Sequence, residues 1–112
     1  VSGEMDVVSG GIADGRFVVR VVGEIDADCC EAFGTALDQA LTADADRTVV
    51  DVSRTEFADS MFLHLLLDAQ RRHRQAGRRL LIAGPFTPVV QRLLEVTGTD
   101  SFFTLAPSIG EA

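Results

Sequence analysis

The stretch Val49–Leu67, VVDVSRTEFADSMFLHLLL, constrains the fold more than any other part of the chain. It begins with a short, β-branched apolar run, Thr48 to Val52, of the kind that is buried on both faces of a sheet. A polar, turn-rich crossing follows from Ser53 to Ala58, and a helix starts at Asp59-Ser60. A strand that leads so quickly into a helix implies a crossover connection and so a parallel neighbour. The serine stands at the mouth of that helix. The first amide N–H groups of a helix lack partners within it and carry the positive end of its dipole, so they favour a negative group. A hydroxyl there has two readings, an ordinary N-cap or a site switched by a phosphoryl group.

The rest of the chain repeats the pattern. Met5 to Ser9 and Arg16 to Val22, separated by the turn-forming GGIADG, predict a hairpin. Asp26 or Asp28 is placed to cap a helix from Cys29 to Leu41, whose apolar positions Cys30, Phe33, Leu37, Ala40 and Leu41 recur at helical spacing. The helix from Ser60 runs to about Ala76, with Gly77 at its end. Its first two turns are apolar nearly all round. Arg79 to Ala83 reads as a buried strand, Thr87-Pro88 as the start of a helix with the stripe Val89, Val90, Leu93 and Leu94, and Phe102 to Leu105 as a last strand. The tail from Ala106 to Ala112 has no periodicity and is expected to fray. The order predicts an α/β domain spanning residues 1–112, a mixed sheet of about five strands with helices packed mainly on one face and the other face partly bare.

Composition narrows the function. At 112 residues with 46% hydrophobic and 24% charged residues, the chain supports one core and is not disordered. No apolar run reaches the roughly 20 residues of a membrane span, and the N-terminus lacks the form of a signal peptide. A cytoplasmic location is expected, with no membrane partner. The chain begins at Val1 without a methionine, as a trimmed or internal fragment would. Net charge is −7, with 13 acids and 4 arginines in residues 1–60 and 4 acids and 6 arginines in residues 61–112. The acidic half argues against direct nucleic-acid binding and suits a basic protein partner. Arginines 71, 72, 74, 78 and 79 form a basic group, which at a helix end reads as a solvated complement to the dipole.

Motifs for chemistry are sparse. Cys29-Cys30 are too close to pair without strain and read as reduced thiols. Neither they nor His64 and His73 have zinc-ligand spacing, and His64 with Asp68 makes only two ligands, so no metal is expected. Phosphate-cradling glycine motifs are absent, so no cofactor is expected either. Ser60 lacks the glycine-flanked elbow of a serine hydrolase, although His64 lies one turn beyond it. A hydrolase is the minority reading, and no catalytic residue is assigned.

Taken together, GEID at 23–26, VVDVS at 49–53, FADS at 57–60, the leucine-rich helix, RLLIAG at 79–84, TPVVQRLLEVTG at 87–98 and DSFF at 100–103 resemble the STAS domains of bacterial anti-sigma factor antagonists. The series runs from about Val19 to Thr104 in the family's order. The resemblance implies a partner-switching regulator. The unphosphorylated antagonist binds an anti-sigma factor, a serine kinase of the histidine-kinase-like ATPase fold, and thereby frees a sigma factor. The kinase phosphorylates the serine of the family's D-S-[ST]-G-L motif, and a metal-dependent serine phosphatase reverses the step. By this resemblance Ser60 is the phosphoacceptor, Asp59 its preceding acid and Asp26 a loop aspartate near the partner. Met61 and Phe62 replace the family's Ser/Thr and Gly, and His64 stands at the second small glycine. Both are expected in the contact surface, Phe62 either holding the partner's backbone off or plugging a matching pocket. The alternative is a STAS scaffold that binds partners without being phosphorylated.

Overall fold

The computed structural model describes residues 8–24, 27–99 and 101–112. Strands β1 (Val8–Ala13), β2 (Arg16–Glu24), β3 (Arg47–Phe57), β4 (Arg79–Ala83) and β5 (Thr104–Ala106) form one sheet in sequence order. β1 and β2 are antiparallel, and β2 to β5 are mutually parallel. Helices α1 (Ala27–Thr42), α2 (Ser60–Gln75) and α3 (Pro88–Thr97) are the crossovers. Each crossover steps one strand further in the same direction. Connections of one hand must then place all three helices on the same face.

That face holds the main core. Phe17, Val19 and Val21 of β2, Val50 and Val52 of β3, and Leu80 and Ile82 of β4 pack against Phe33 and Leu37 of α1, Phe62, Leu63 and Leu66 of α2, and Val90 and Leu94 of α3. The alternation is the two-residue period of a strand with one face turned to the helices. The opposite face is not left to solvent throughout. Val49, Leu81 and Ala83 are covered by Ala106, Ala112 and Ile109, the last lying in a 3₁₀ helix, Ile109–Glu111. The guanidinium of Arg16 donates to the carbonyls of Ile109 and Ala112, and that of Arg47 to Ala112 at 2.8 Å. The tail is therefore a folded strap and not a frayed end. Its anchors are arginines more than 60 residues away in the chain, which local periodicity cannot register. Beyond the strap, an open cleft of about 320 Å³ lined by Arg20, Val22, Asp51 and Ser53 lies on this face.

The hairpin also differs from the sequence expectation. β1 runs through Gly10, Gly11 and Ile12, and only Asp14 and Gly15 turn, both with positive φ (54° and 77°), as a two-residue hairpin requires. Gly10 belongs in the strand because the Phe17 ring lies across it. A Cβ there would stand 3.1 Å from the ring. Likewise β3 continues five residues past Val52, through the polar segment expected to be a turn. Asp51 accepts hydrogen bonds from the Ser53 amide (3.0 Å) and hydroxyl (2.7 Å), while the buried Thr55 donates to the Val21 carbonyl (2.9 Å). Polar side chains thus serve a strand whose register against β2 shifts after Arg20 and after Gly23. α1 begins at Ala27, which places Asp28 inside the helix.

The end of α2 is tied to β3 by a buried polar pair. His73 and Thr48 are both fully buried. The ring's Nδ1 lies 2.7 Å from the Ala69 carbonyl and must carry the proton, since a carbonyl only accepts; Nε2 then accepts from the Thr48 hydroxyl at 2.9 Å. Burial lowers the His73 pKa, with the charges of Arg78 and Arg72 acting in the same direction and the Ala69 bond opposing them. The unfolded chain takes up this proton near pH 6.5, the folded chain only at lower pH. The stabilisation is complete above about 6.5 and is lost as pH falls through the folded value. Urea midpoints are expected to drop between pH 7 and 5, before the carboxylates titrate, and His73→Gln is expected to flatten that slope. An unchanged slope in the variant would assign the acid sensitivity elsewhere.

Candidate functional site

The N-terminus of α2 emerges from the sheet after β3 and is held by two opposed contacts. Asp59, in an extended conformation (φ −121°, ψ −168°), is the N-cap. Its Oδ1 accepts from the amides of Met61 (3.0 Å) and Phe62 (3.4 Å), and its carbonyl accepts from Leu63 (3.2 Å). On the inner side, Phe62 is wholly buried and stacks on Phe33 of α1 with ring centroids 5.0 Å apart and planes 21° from parallel.

These contacts settle where the sequence-derived site residues lie. Ser60 is the first residue of α2 and is exposed, so it does not cap the helix; its neighbour does. Among the described residues nothing is hydrogen-bonded to the Ser60 hydroxyl, and the exposed His64 does not form the Ser60–His64 bond that a hydrolase reading requires. Met61 is 53% exposed. Ser60, Asp59, Met61 and His64 thus share the outer side of the helix mouth. Phe62 does not join them. It was expected at the partner surface, but at 0% exposure it neither blocks nor plugs anything outside the domain. Where a glycine would leave a gap, its ring fills the space between α1 and α2. Asp26 lies outside the described residues. No group of three or more potential metal ligands occurs among the described residues.

Electrostatically the site is already occupied by its own acid. A carboxylate bridges the two amides that would otherwise favour an incoming anion. Any charge added to Ser60 therefore meets Asp59 and projects outward, and does not settle onto the helix dipole.

Comparison with known proteins follows from this geometry. Residues 9–107 match the model of the family described as Mlab, STAS domain, and the chain belongs to that family. Among solved structures it is similar to an anti-sigma factor antagonist from Mycobacterium paratuberculosis (26% identity, TM-score 0.80, covering 92% of this chain and 86% of that one). An anti-sigma-factor antagonist (STAS) domain protein from Planctomyces limnophilus shares the fold (15% identity, TM-score 0.78, covering 93% and 92%). So does the Bacillus cell fate determinant SpoIIAA in its phosphorylated form (18% identity, TM-score 0.69, covering 88% and 90%). No curated protein matches the sequence. No described helix is long and apolar enough to cross a membrane.

Two substitutions separate the roles of these neighbours. Asp59→Ala is expected to destabilise the fold by ~0.5–2 kcal/mol through loss of the cap. Phe62→Ala is expected to cost ~3–5 kcal/mol, as for a buried aromatic removed from a core. Chemical denaturation measures both; a Phe62→Ala domain as stable as the parent would mean that the ring is not held between α1 and α2.

Proposed function

We propose that this domain is an anti-sigma factor antagonist that works by partner switching. In this reading the outer side of the α2 N-terminus, with Ser60, Asp59 and Met61, and together with Asp26, which lies outside the described residues, docks on an anti-sigma factor of the histidine-kinase-like ATPase fold and frees a sigma factor. Phosphorylation of Ser60 by that kinase ends the contact, and a serine phosphatase restores it. The domain itself contributes a binding surface and a phosphoacceptor, with no catalytic group. The observation that carries the proposal is the solvent-facing hydroxyl at the first position of α2, next to a half-exposed methionine. Family membership and likeness to antagonist structures support it.

The switch needs little change of shape. Phosphoserine brings about −1.5 to −2 charges and three strong acceptor oxygens. The helix mouth offers it little, because Asp59 already takes the amides of Met61 and Phe62. A partner surface matched to a neutral hydroxyl and an apolar Met61 then has to bury an uncompensated charge, at a cost of several kcal/mol. Every 1.4 kcal/mol is about tenfold in affinity.

Incubation with the cognate anti-sigma factor and ATP is expected to add one phosphate, read by intact-mass spectrometry, and Ser60→Ala to abolish the addition while preserving binding. In calorimetry, Ser60→Asp is expected to weaken the complex by at least tenfold and Met61→Ala by ~1–2 kcal/mol. A confirmed complex that takes up no phosphate and is indifferent to Ser60→Asp would replace this reading with that of an unswitched STAS binding module.

A further inference from the structure

The other end of α2, roughly 24 Å from Ser60 along a 16-residue helix, carries a second constellation. Of the arginines grouped there in sequence, Arg71 pairs with Asp68, and Arg72 pairs with Asp38 at 2.6 Å and with Asp68 at 3.8 Å. Arg74, Arg78 and Arg79 have no carboxylate partner among the described residues. All three line one cleft of about 260 Å³ together with Gln70 and Thr104, and no acidic residue lines it.

These arginines are not needed to close the helix end. The last carbonyls of α2 are already satisfied by the backbone. Those of Arg72 and His73 accept from Ala76, that of Arg74 accepts from Gly77, and that of His73 also accepts from Arg78. Gln70 is only 8% exposed as a residue, and its side-chain amide, which lines the cleft, has no protein partner among the described residues and remains open to it. The cations are also held in place. Arg78 donates to the carbonyls of Ala43 (2.7 Å) and Ala45 (3.0 Å), and its Nε is buried without a partner among the described residues. The Arg74 guanidinium lies over the Phe102 ring, 5.4 Å from its centroid. A cation–π contact of this kind uses none of the guanidinium's N–H donors as a hydrogen bond to an oxygen acceptor.

We propose that this cleft binds an oxyanion of the phosphate class. Planar, permanently charged guanidinium groups match the oxygens of a tetrahedral anion with paired N–H bonds. The Gln70 amide and the Thr104 hydroxyl supply neutral donors. The three positive charges outweigh the partial negative charge, about half a unit, at the end of a helix. The site is independent of Ser60 and does not rest on its phosphorylation. A neighbouring groove of about 500 Å³, lined by Leu67 and Phe102, shares Arg74 with the cleft. The anion therefore arrives either free or as a phosphate carried by a molecule whose apolar part enters that groove.

Titration of the isotopically labelled domain with sodium phosphate, against sodium chloride at matched ionic strength, tests the site by NMR. Saturable shifts are expected at the Gln70 side-chain amide and at Thr104. Arg79→Gln and Arg74→Gln, both at exposed positions, are each expected to weaken binding about tenfold, whereas Arg71→Gln is expected to leave it unchanged. Phenyl phosphate distinguishes the sources: binding about tenfold tighter than inorganic phosphate identifies a carried group, and equal binding a free ion. Non-saturating shifts reproduced by chloride, or affinity unaltered in both Arg79→Gln and Arg74→Gln, would overturn the proposal.

Discussion

The stacking of Phe62 on Phe33 is the contact from which the rest of the site's geometry follows. A helix turns by about 100° per residue, so fixing one side chain in the core fixes the direction of all its neighbours. With Phe62 turned inward, Ser60 and His64 lie about 200° around the helix, facing solvent, and Met61 lies at the boundary. The same contact joins α1 to α2, and the two helices cover one face of β2, β3 and β4. An aromatic pair of this kind contributes ~0.5–1.5 kcal/mol beyond its buried area. Its larger consequence is orientational.

Charge around α2 is arranged unevenly from end to end. At the N-terminus a carboxylate is already seated on the amides of Met61 and Phe62, so two of the donors that would ordinarily attract an anion are taken. At the C-terminus the backbone closes its own carbonyls, and Arg74, Arg78 and Arg79 border a cleft without acidic residues. Each end carries side-chain charge opposite to that of the dipole there. Net charge of −7 over the whole chain conceals this polarity. Between the two ends, His73 links α2 to β3 through Thr48 with a proton position imposed by the Ala69 carbonyl.

Family membership, shown over residues 9–107, agrees with the series of short motifs that runs through most of the chain. The departures from the family's motif at Met61 and Phe62 prove unequal once their exposure is known. Met61 extends the outer surface and Phe62 repairs an inner one. A substitution beside an exposed serine at a helix mouth is easily attributed to partner recognition, yet here one of the two is a matter of core packing.

Much of this was legible in the sequence. The order of strands and helices, the start of α2 at Ser60, the Thr87-Pro88 start of α3 and the end of α2 by Gly77 all follow from interactions between residues close in the chain: apolar periodicity, caps and positive φ. Three things depended on partners far away in sequence. The polar segment after Val52 became a strand because β2 pairs with it. The aperiodic tail became a strap because Arg16 and Arg47 hold it across Val49 and Leu81. The rotation of α2, and with it the division between buried Phe62 and exposed Ser60, was decided by α1. Helical spacing around Met61 and Phe62 was apolar on nearly every side, so the sequence determined that a helix begins there with a serine at its mouth, and only tertiary packing decided which way that serine faces.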